Sequence, residues 1–108
     1  MKTISRNELK RMNEEAHEDF VLINVLPREE FNKRHIRTSI NVPVGDDDFV
    51  EKVESVAGGK QRKIVVYCAN FDCDASPRAA EALENAGFEQ VYDYQGGTED
   101  WFAQKEAA

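Results

Sequence analysis

Residues Lys63 to Leu83 read KIVVYCANFDCDASPRAAEAL, and this pattern predicts a strand, a loop and a helix. The apolar run from Ile64 to Tyr67 is short and unbroken, as in a strand buried on both faces of a parallel sheet. Ser76 is a good N-cap residue and Pro77 suits the first helical position, so we expect the helix to begin there. Asp74, two residues earlier, is the alternative cap.

Cys68 follows this strand directly. Ligands of open α/β sheets bind beyond the carboxyl ends of the strands, and the next helix would direct its electropositive N-terminus to the same place. Such a site favours the ionised thiol, which is the nucleophilic form. The sequence therefore predicts Cys68 as a nucleophile, with a small buried core residue as the alternative.

The rest of the chain alternates strands with helices. Ser5 and Glu8 form a capping box for a first helix that we expect to reach Ala16. Further strands are predicted at residues 20–25, 39–42 and 90–94, and Thr98 is the expected cap of a closing helix. Residues 1–108 thus form one α/β domain with a mostly parallel sheet and helices on both faces.

Charge and hydropathy limit the partners. The formal net charge is −7, from 14 Lys and Arg against 21 Asp and Glu, which argues against nucleic acid or an anionic membrane surface as a partner. No apolar run approaches the ~20 residues of a membrane span, and the first residues lack the apolar core of a signal peptide. We therefore expect a cytoplasmic protein, in which the two cysteines are reactive or buried thiols rather than a disulfide framework.

Two groups of motifs resemble the two signatures of single-domain rhodaneses. The first is LINVLPREEF at residues 22–31, followed by His35-Ile36 and by SINVP at residues 39–43. The second is Val66-Tyr67-Cys68, the helix from Ser76 to Leu83, Gly87-Phe88 and GGTEDW at residues 96–101. Together these motifs cover the chain from about Asn7 to Trp101.

The resemblance implies a three-layer rhodanese-like fold with about five short strands, and a sulfurtransferase activity. In that family the cysteine matched by Cys68 takes a sulfane sulfur from a donor, holds it as a persulfide and passes it to a thiophilic acceptor. The donor would be thiosulfate, a polysulfide or a thiol persulfide, and the acceptor a thiol, a cyanide-like molecule or a sulfur-relay protein. No metal or organic cofactor is implied. N–H groups of the following loop would cradle the persulfide anion. The expected substrate-binding loop comprises Ala69, Asn70, Phe71, Asp72, Asp74, Ala75 and Ser76.

The chain departs from the family pattern at two places. Residues 24–26 read Asn-Val-Leu where the family usually has Asp-Val-Arg, so an expected charged pair is missing. Seven residues, two of them Asp, separate Cys68 from Ser76 where five are usual. An acidic loop repels the thiosulfate dianion, which favours a thiol persulfide, a polysulfide or a protein donor.

The longer loop also contains Cys73, for which three roles are open. Cys73 can be a passive thiol that faces inward. It can resolve a Cys68 persulfide or sulfenic acid by forming an internal disulfide. It can also be the nucleophile itself, because it lies nearer the helix N-terminus.

Three other functions were weighed on the same residues. A phosphatase of this architecture needs an arginine six positions after the cysteine, and Arg78 fits that spacing from neither cysteine; we expect it to pair with Glu81. A zinc site would need His17 or His35, which do not follow the cysteines at ligand spacing. A catalytically weak module for partner binding or thiol redox sensing remains as the alternative.

Overall fold

The computed structural model describes residues 2–15 and 19–107. Its strands are β1 (Lys2–Thr3), β2 (Phe20–Asn24), β3 (Ile40–Asn41), β4 (Lys63–Tyr67) and β5 (Val91–Tyr94). Its α-helices are α1 (Arg6–Lys10), α2 (Arg28–Lys33), α3 (Phe49–Ala57), α4 (Ala75–Asn85) and α5 (Gly97–Ala107). Within these two ranges, no helix combines the length and the apolar character needed to cross a membrane.

The five strands form one sheet in the order β1-β5-β4-β2-β3, and every neighbouring pair is parallel. β4 lies at the centre, with Ile64 opposite both Val21 of β2 and Val91 of β5. Its side chains from Ile64 to Tyr67 are all buried, as the unbroken apolar run predicts. The predicted α/β class and parallel sheet are confirmed.

Helices cover both faces of the sheet, which gives three layers. Ile64 and Val66 of β4 face a core that includes buried residues of α3 and α4. Val65 and Tyr67 face a second core, against Leu9 of α1. Neighbouring side chains of a strand point to opposite faces, so β4 supplies both cores.

The first residues of the chain differ from the prediction. Lys2 and Thr3 form a strand beside β5, and the Ile4 N–H donates to the Asp93 carbonyl at 3.2 Å. The capping box at Ser5 is confirmed. The α-helix ends at Lys10, and a π-helical turn follows over Arg11–Glu15. Ala16, the expected helix end, lies outside the described residues.

Candidate functional site

Cys68 lies at the carboxyl end of β4 and is completely buried. Its side chain belongs to the core that α3 and α4 cover, together with Ile64 and Val66. The strand-end position and the buried position, which the sequence posed as alternatives, therefore hold together.

Cys73 bonds to Cys68 in a disulfide, with the two Cα atoms 6.6 Å apart. That separation is within the range of protein disulfides. The expectation of two free thiols is wrong for this structure, because the loop folds back and brings its second cysteine over the first. Cys73 remains partly exposed whereas Cys68 is not exposed.

Asn70 shapes the loop that brings the cysteines together. The Cys73 N–H donates to the Asn70 carbonyl at 3.1 Å, and the Asp72 N–H donates to Asn70 Oδ1 at 3.0 Å. The Asn70 side-chain amide donates in turn to Glu99 Oε2 at 3.3 Å. Two N–H groups of the expected anion cradle are thus engaged within the loop, a role of Asn70 that the sequence analysis missed.

The helix start differs from the prediction. α4 begins at Ala75 with Asp74 in the cap position, and the Asp74 side chain makes no capping hydrogen bond. Ser76 and Pro77 therefore lie inside the first turn, so Ser76 is not the N-cap. Ser76 is completely buried, and its Oγ has no hydrogen-bond partner among the described residues.

The start of α5 closes the site from the other side. The Thr98 N–H donates to the Cys68 carbonyl at 3.1 Å, and the Glu99 N–H donates to the Ala69 carbonyl at 2.9 Å. α5 begins at Gly97, so Thr98 is inside the helix and is not its cap. The first amides of a helix have no partner within the helix, and here they hold the backbone that carries Cys68.

The acidic side chains of the loop face solvent. Asp72 and Asp74 are exposed, and Arg78 pairs with Asp74 at 3.7 Å rather than with Glu81 as expected. Phe71, at the tip of the loop, is 70% exposed, although large apolar side chains are usually buried. The outer surface of the loop is therefore an acidic patch around one aromatic ring.

Asn24 occupies the position of the missing family aspartate. Its Oδ1 accepts the Leu26 N–H at 3.0 Å, and the Asn41 side chain donates to the Asn24 and Leu26 carbonyls at 3.1 and 2.8 Å. Leu26 packs against the core in place of the family arginine. Neutral hydrogen bonds and apolar packing thus replace a charged pair at this turn.

Asp93 is a buried carboxyl group that the sequence analysis did not select. It is opposite Val66 in the β4–β5 register, so its side chain lies on the face of the sheet that carries Cys68. Neither carboxylate oxygen has a hydrogen-bond partner of standard geometry among the described residues. Burial raises the pKa of Asp93, while the nearby Ser76 and Gln95 side chains oppose the rise.

An open groove of about 950 Å³ runs beside the site. Its floor includes Ile40 of the edge strand β3 and Val56 of α3, which are 42% and 37% exposed. Arg28 and Lys52 also line the groove, and it reaches the first turns of α4 at Ala75 and Arg78. Asp46, which pairs with Lys52 at 2.9 Å, lines the groove as well.

No cluster of three or more His, Cys, Asp or Glu side chains is present over residues 2–15 and 19–107. His35 Nδ1 contacts the Phe31 carbonyl at 2.9 Å and its ring stacks on Phe31, while His17 lies outside the described residues.

Comparison with known proteins identifies the family. The model of the rhodanese-like domain matches residues 5–104 of the chain. The chain belongs to the rhodanese-like domain family. This confirms the resemblance seen in its two signature motifs.

Two curated proteins resemble the rhodanese-like domain. The HTH-type transcriptional regulator Rv0324 of Mycobacterium tuberculosis is 33% identical over 80% of the chain, and the chain spans 35% of that regulator. The thiosulfate sulfurtransferase GlpE of Coxiella burnetii is 27% identical over 79% of the chain, which spans 74% of GlpE. The family and the GlpE relative support a sulfurtransferase-type function.

Solved structures agree with the fold. The rhodanese-like domain of the Anabaena protein Alr3790 superposes with a TM-score of 0.82 at 29% identity. The match covers 96% of this chain and 75% of the Anabaena one. The three-layer rhodanese-like fold is thus shared almost over the full length of the chain.

Proposed function

We propose that this rhodanese-like domain transfers sulfane sulfur through a persulfide on Cys68 and that it works in the cytoplasm. The observation that carries the proposal is the position of Cys68, at the carboxyl end of the central strand and in the core that the 11-residue helix α4 covers. The partial positive charge of a helix N-terminus stabilises both a thiolate and a persulfide anion. Membership of the rhodanese-like family supports the same assignment.

The proposed reaction has two steps. The Cys68 thiolate attacks the sulfane sulfur of the donor, the new S–S bond forms, and the rest of the donor leaves as a thiolate or as sulfite. An acceptor thiolate or a cyanide-like nucleophile then attacks the outer sulfur of the persulfide and carries it away, which restores the Cys68 thiolate. Covalent catalysis of this kind divides one transfer into two easier ones.

The disulfide form cannot take up sulfur, because Cys68 Sγ is already bonded to Cys73. A thiol reductant must first open the bridge. A reducing compartment keeps both cysteines as thiols, which agrees with the proposed cytoplasmic location.

Charge at the site favours donors other than thiosulfate. Asp72 and Asp74 are exposed on the loop, where they repel a small dianion. The cationic side chain of Arg28 lines the neighbouring groove and not this loop. We propose a thiol persulfide, a polysulfide or the persulfide of a sulfur-relay protein as the donor. The exposed ring of Phe71 offers an apolar contact for such a protein.

Intact mass spectrometry tests the proposal. Wild type, Cys68→Ser and Cys73→Ser are reduced, freed of reductant and incubated in parallel with thiosulfate or glutathione persulfide. We expect Cys73→Ser to gain one sulfur atom, more readily from glutathione persulfide, and Cys68→Ser to gain none. Sulfur on Cys68→Ser would assign the persulfide to Cys73 instead.

The observed disulfide favours one second candidate, a module that senses thiol oxidants without transferring sulfur. Such a module would form and lose the Cys68–Cys73 bridge but would hold no sulfane sulfur. Failure of Cys73→Ser to take up sulfur from either donor would decide for the sensing module.

A further inference from the structure

We propose that this domain also releases hydrosulfide, because Cys73 resolves the Cys68 persulfide into the internal disulfide. The inference rests on the proposed persulfide at Cys68. It adds a second fate for the bound sulfur, in which no external acceptor takes part.

The two sulfur atoms of a Cys68 persulfide would be open to different nucleophiles. Cys68 is completely buried, so a nucleophile from solvent can reach only the outer sulfur. The sulfur of Cys73 instead contacts Cys68 Sγ itself, since the two sulfur atoms are bonded in the structure. Attack from solvent therefore transfers sulfur, and attack by Cys73 expels it.

The expelling step balances without an added oxidant. The Cys73 thiolate attacks Cys68 Sγ, the bond between the two cysteine sulfurs forms, and the bond to the outer sulfur breaks. The outer sulfur leaves with the electron pair as hydrosulfide. The sulfane sulfur is thereby reduced, and the two cysteine thiols supply the two electrons.

The loop holds Cys73 ready for this attack. Its N–H is bound to the Asn70 carbonyl at 3.1 Å, and Asn70 is tied through its side chain to Glu99 of α5 at 3.3 Å. These contacts hold the turn between the cysteines in addition to the disulfide. The cost of ordering the resolving thiol is therefore met in part by the folded loop.

Unequal exposure of the two sulfurs also sets the direction of reopening. A dithiol reductant meets Cys73, which is partly exposed, and not Cys68, which is buried. Cys68 is then the leaving thiolate, and a stabilised thiolate leaves faster. Reduction thus returns the residue that takes up sulfur in its reactive form. Each cycle converts one donor persulfide and one dithiol into the donor thiol, hydrosulfide and a disulfide.

The test follows the fate of the sulfur in the full chain. Reduced wild type, freed of reductant, receives glutathione persulfide, and hydrosulfide, free thiols and intact mass are measured against the matched Cys73→Ser variant and a Cys68→Ser blank. We expect about one hydrosulfide per wild-type chain above the blank, loss of both thiols and no retained sulfur. We expect Cys73→Ser to retain one sulfur and to release at least tenfold less hydrosulfide.

A second addition separates one turnover from many. With a dithiol present, wild type should release hydrosulfide continuously, while Cys73→Ser stays at least several-fold slower. Wild type that keeps its sulfur as a stable persulfide, with both variants behaving as expected, would overturn hydrosulfide release and leave the sulfur-transfer proposal standing. Cys73→Ser that takes up no sulfur would overturn both.

Discussion

Asp93 should make the stability of the fold depend on pH. Its carboxyl group is completely buried, neither oxygen has a partner of standard geometry in the described part of the chain, and burial raises its pKa. When the pKa of a carboxyl group is higher in the folded state than in the unfolded state, protonation of that group stabilises the fold. Its contribution to stability is fully present below the unfolded-state pKa and is lost as the pH rises through the folded-state pKa.

Asp93→Asn should therefore stabilise the protein at neutral pH. The variant removes a buried charge, and we expect the free energy of unfolding to increase by about 1–3 kcal/mol at pH 7 and by less in acid. Urea unfolding at pH 7 and pH 4.5 measures the difference. Asp47→Asn, at an exposed carboxylate, is the control and should change little at either pH. An equal gain at both pH values would show that the charge of Asp93 is not the cause.

Tyr94 stabilises the fold, because its buried hydroxyl group has a hydrogen-bond partner. The ring is buried, and the hydroxyl donates to Asp100 Oδ2 at 2.6 Å. Burial and the Asp100 carboxylate raise the pKa of Tyr94, so the hydroxyl stays protonated and remains a donor.

Tyr94→Phe should lower the free energy of unfolding by about 1–2 kcal/mol, since a hydrogen bond to a charged group is lost. Tyr92→Phe is the matched control, as it removes a hydroxyl from a half-buried ring of the same strand. The midpoints of urea unfolding compare the two variants. Equal losses would mean that the bond to Asp100 contributes nothing specific.

At the residue scale, local pattern described the position of Cys68 better than its surroundings. Cys68, its strand-end position and the possible bridge to Cys73 followed from local pattern. The role of Asn70 did not, because it depends on Glu99 of a distant helix. Ser76 was misplaced as a cap, since the helix begins at Ala75 and the serine is buried within its first turn.

The element that most constrains the site is the start of α5. Gly97 has φ +65°, and a Cβ atom there would meet the Cys68 carbonyl oxygen and would lie 2.6 Å from the Ala69 carbonyl carbon. Only glycine lets the helix start close on the backbone of Cys68.

Gly97→Ala should destabilise the protein by about 1–3 kcal/mol from backbone strain alone, with more from the contact. Because the clash is with the backbone of Cys68, we also expect slower sulfur uptake by the reduced variant. Gly45→Ala is the control, since a Cβ there meets nothing within 4 Å. Chemical unfolding and the rate of mass gain are the measurements. A Gly97→Ala variant as stable and as fast as Gly45→Ala would contradict this role.

Element prediction succeeded where apolar residues repeat and failed where they do not. The central strand and β2 have clear apolar patterns, and both are present. β1 has only Lys2 and Thr3, both exposed, and it is a strand because β5 offers its backbone. The π-helical turn after α1 likewise has no signature in its residues.

At the scale of the whole molecule, negative charge should oppose anionic donors. The net charge is −7, and the loop beside Cys68 adds exposed carboxylates near the reacting sulfur. Salt screens such repulsion over distances of about 10 Å at 0.1 M.

Raising the salt concentration from about 10 mM to about 300 mM should therefore raise kcat/KM for thiosulfate roughly two- to tenfold. An uncharged organic persulfide should respond little, and Asp72→Asn should reduce the salt effect for thiosulfate. Initial rates with both donors test this. A thiosulfate rate that falls with salt would mean that Arg28 and Lys52 of the groove dominate the field.

The global architecture was the most predictable level. Alternation of strand and helix patterns, with apolar runs in the strands, was enough for a parallel sheet covered on both faces. The edge position of β1 was not predictable, because strand order depends on contacts between residues far apart in the chain.

The contact between α5 and Cys68 also has a consequence for biosynthesis. Thr98 and Ala69 are 29 positions apart, so the ribosome makes both cysteines well before the helix that holds them. At ~5–20 residues per second, the nascent chain carries both thiols for a few seconds before α5 exists. The Cys68 sulfur, which the finished fold buries completely, thus lacks the cover of α5 during translation.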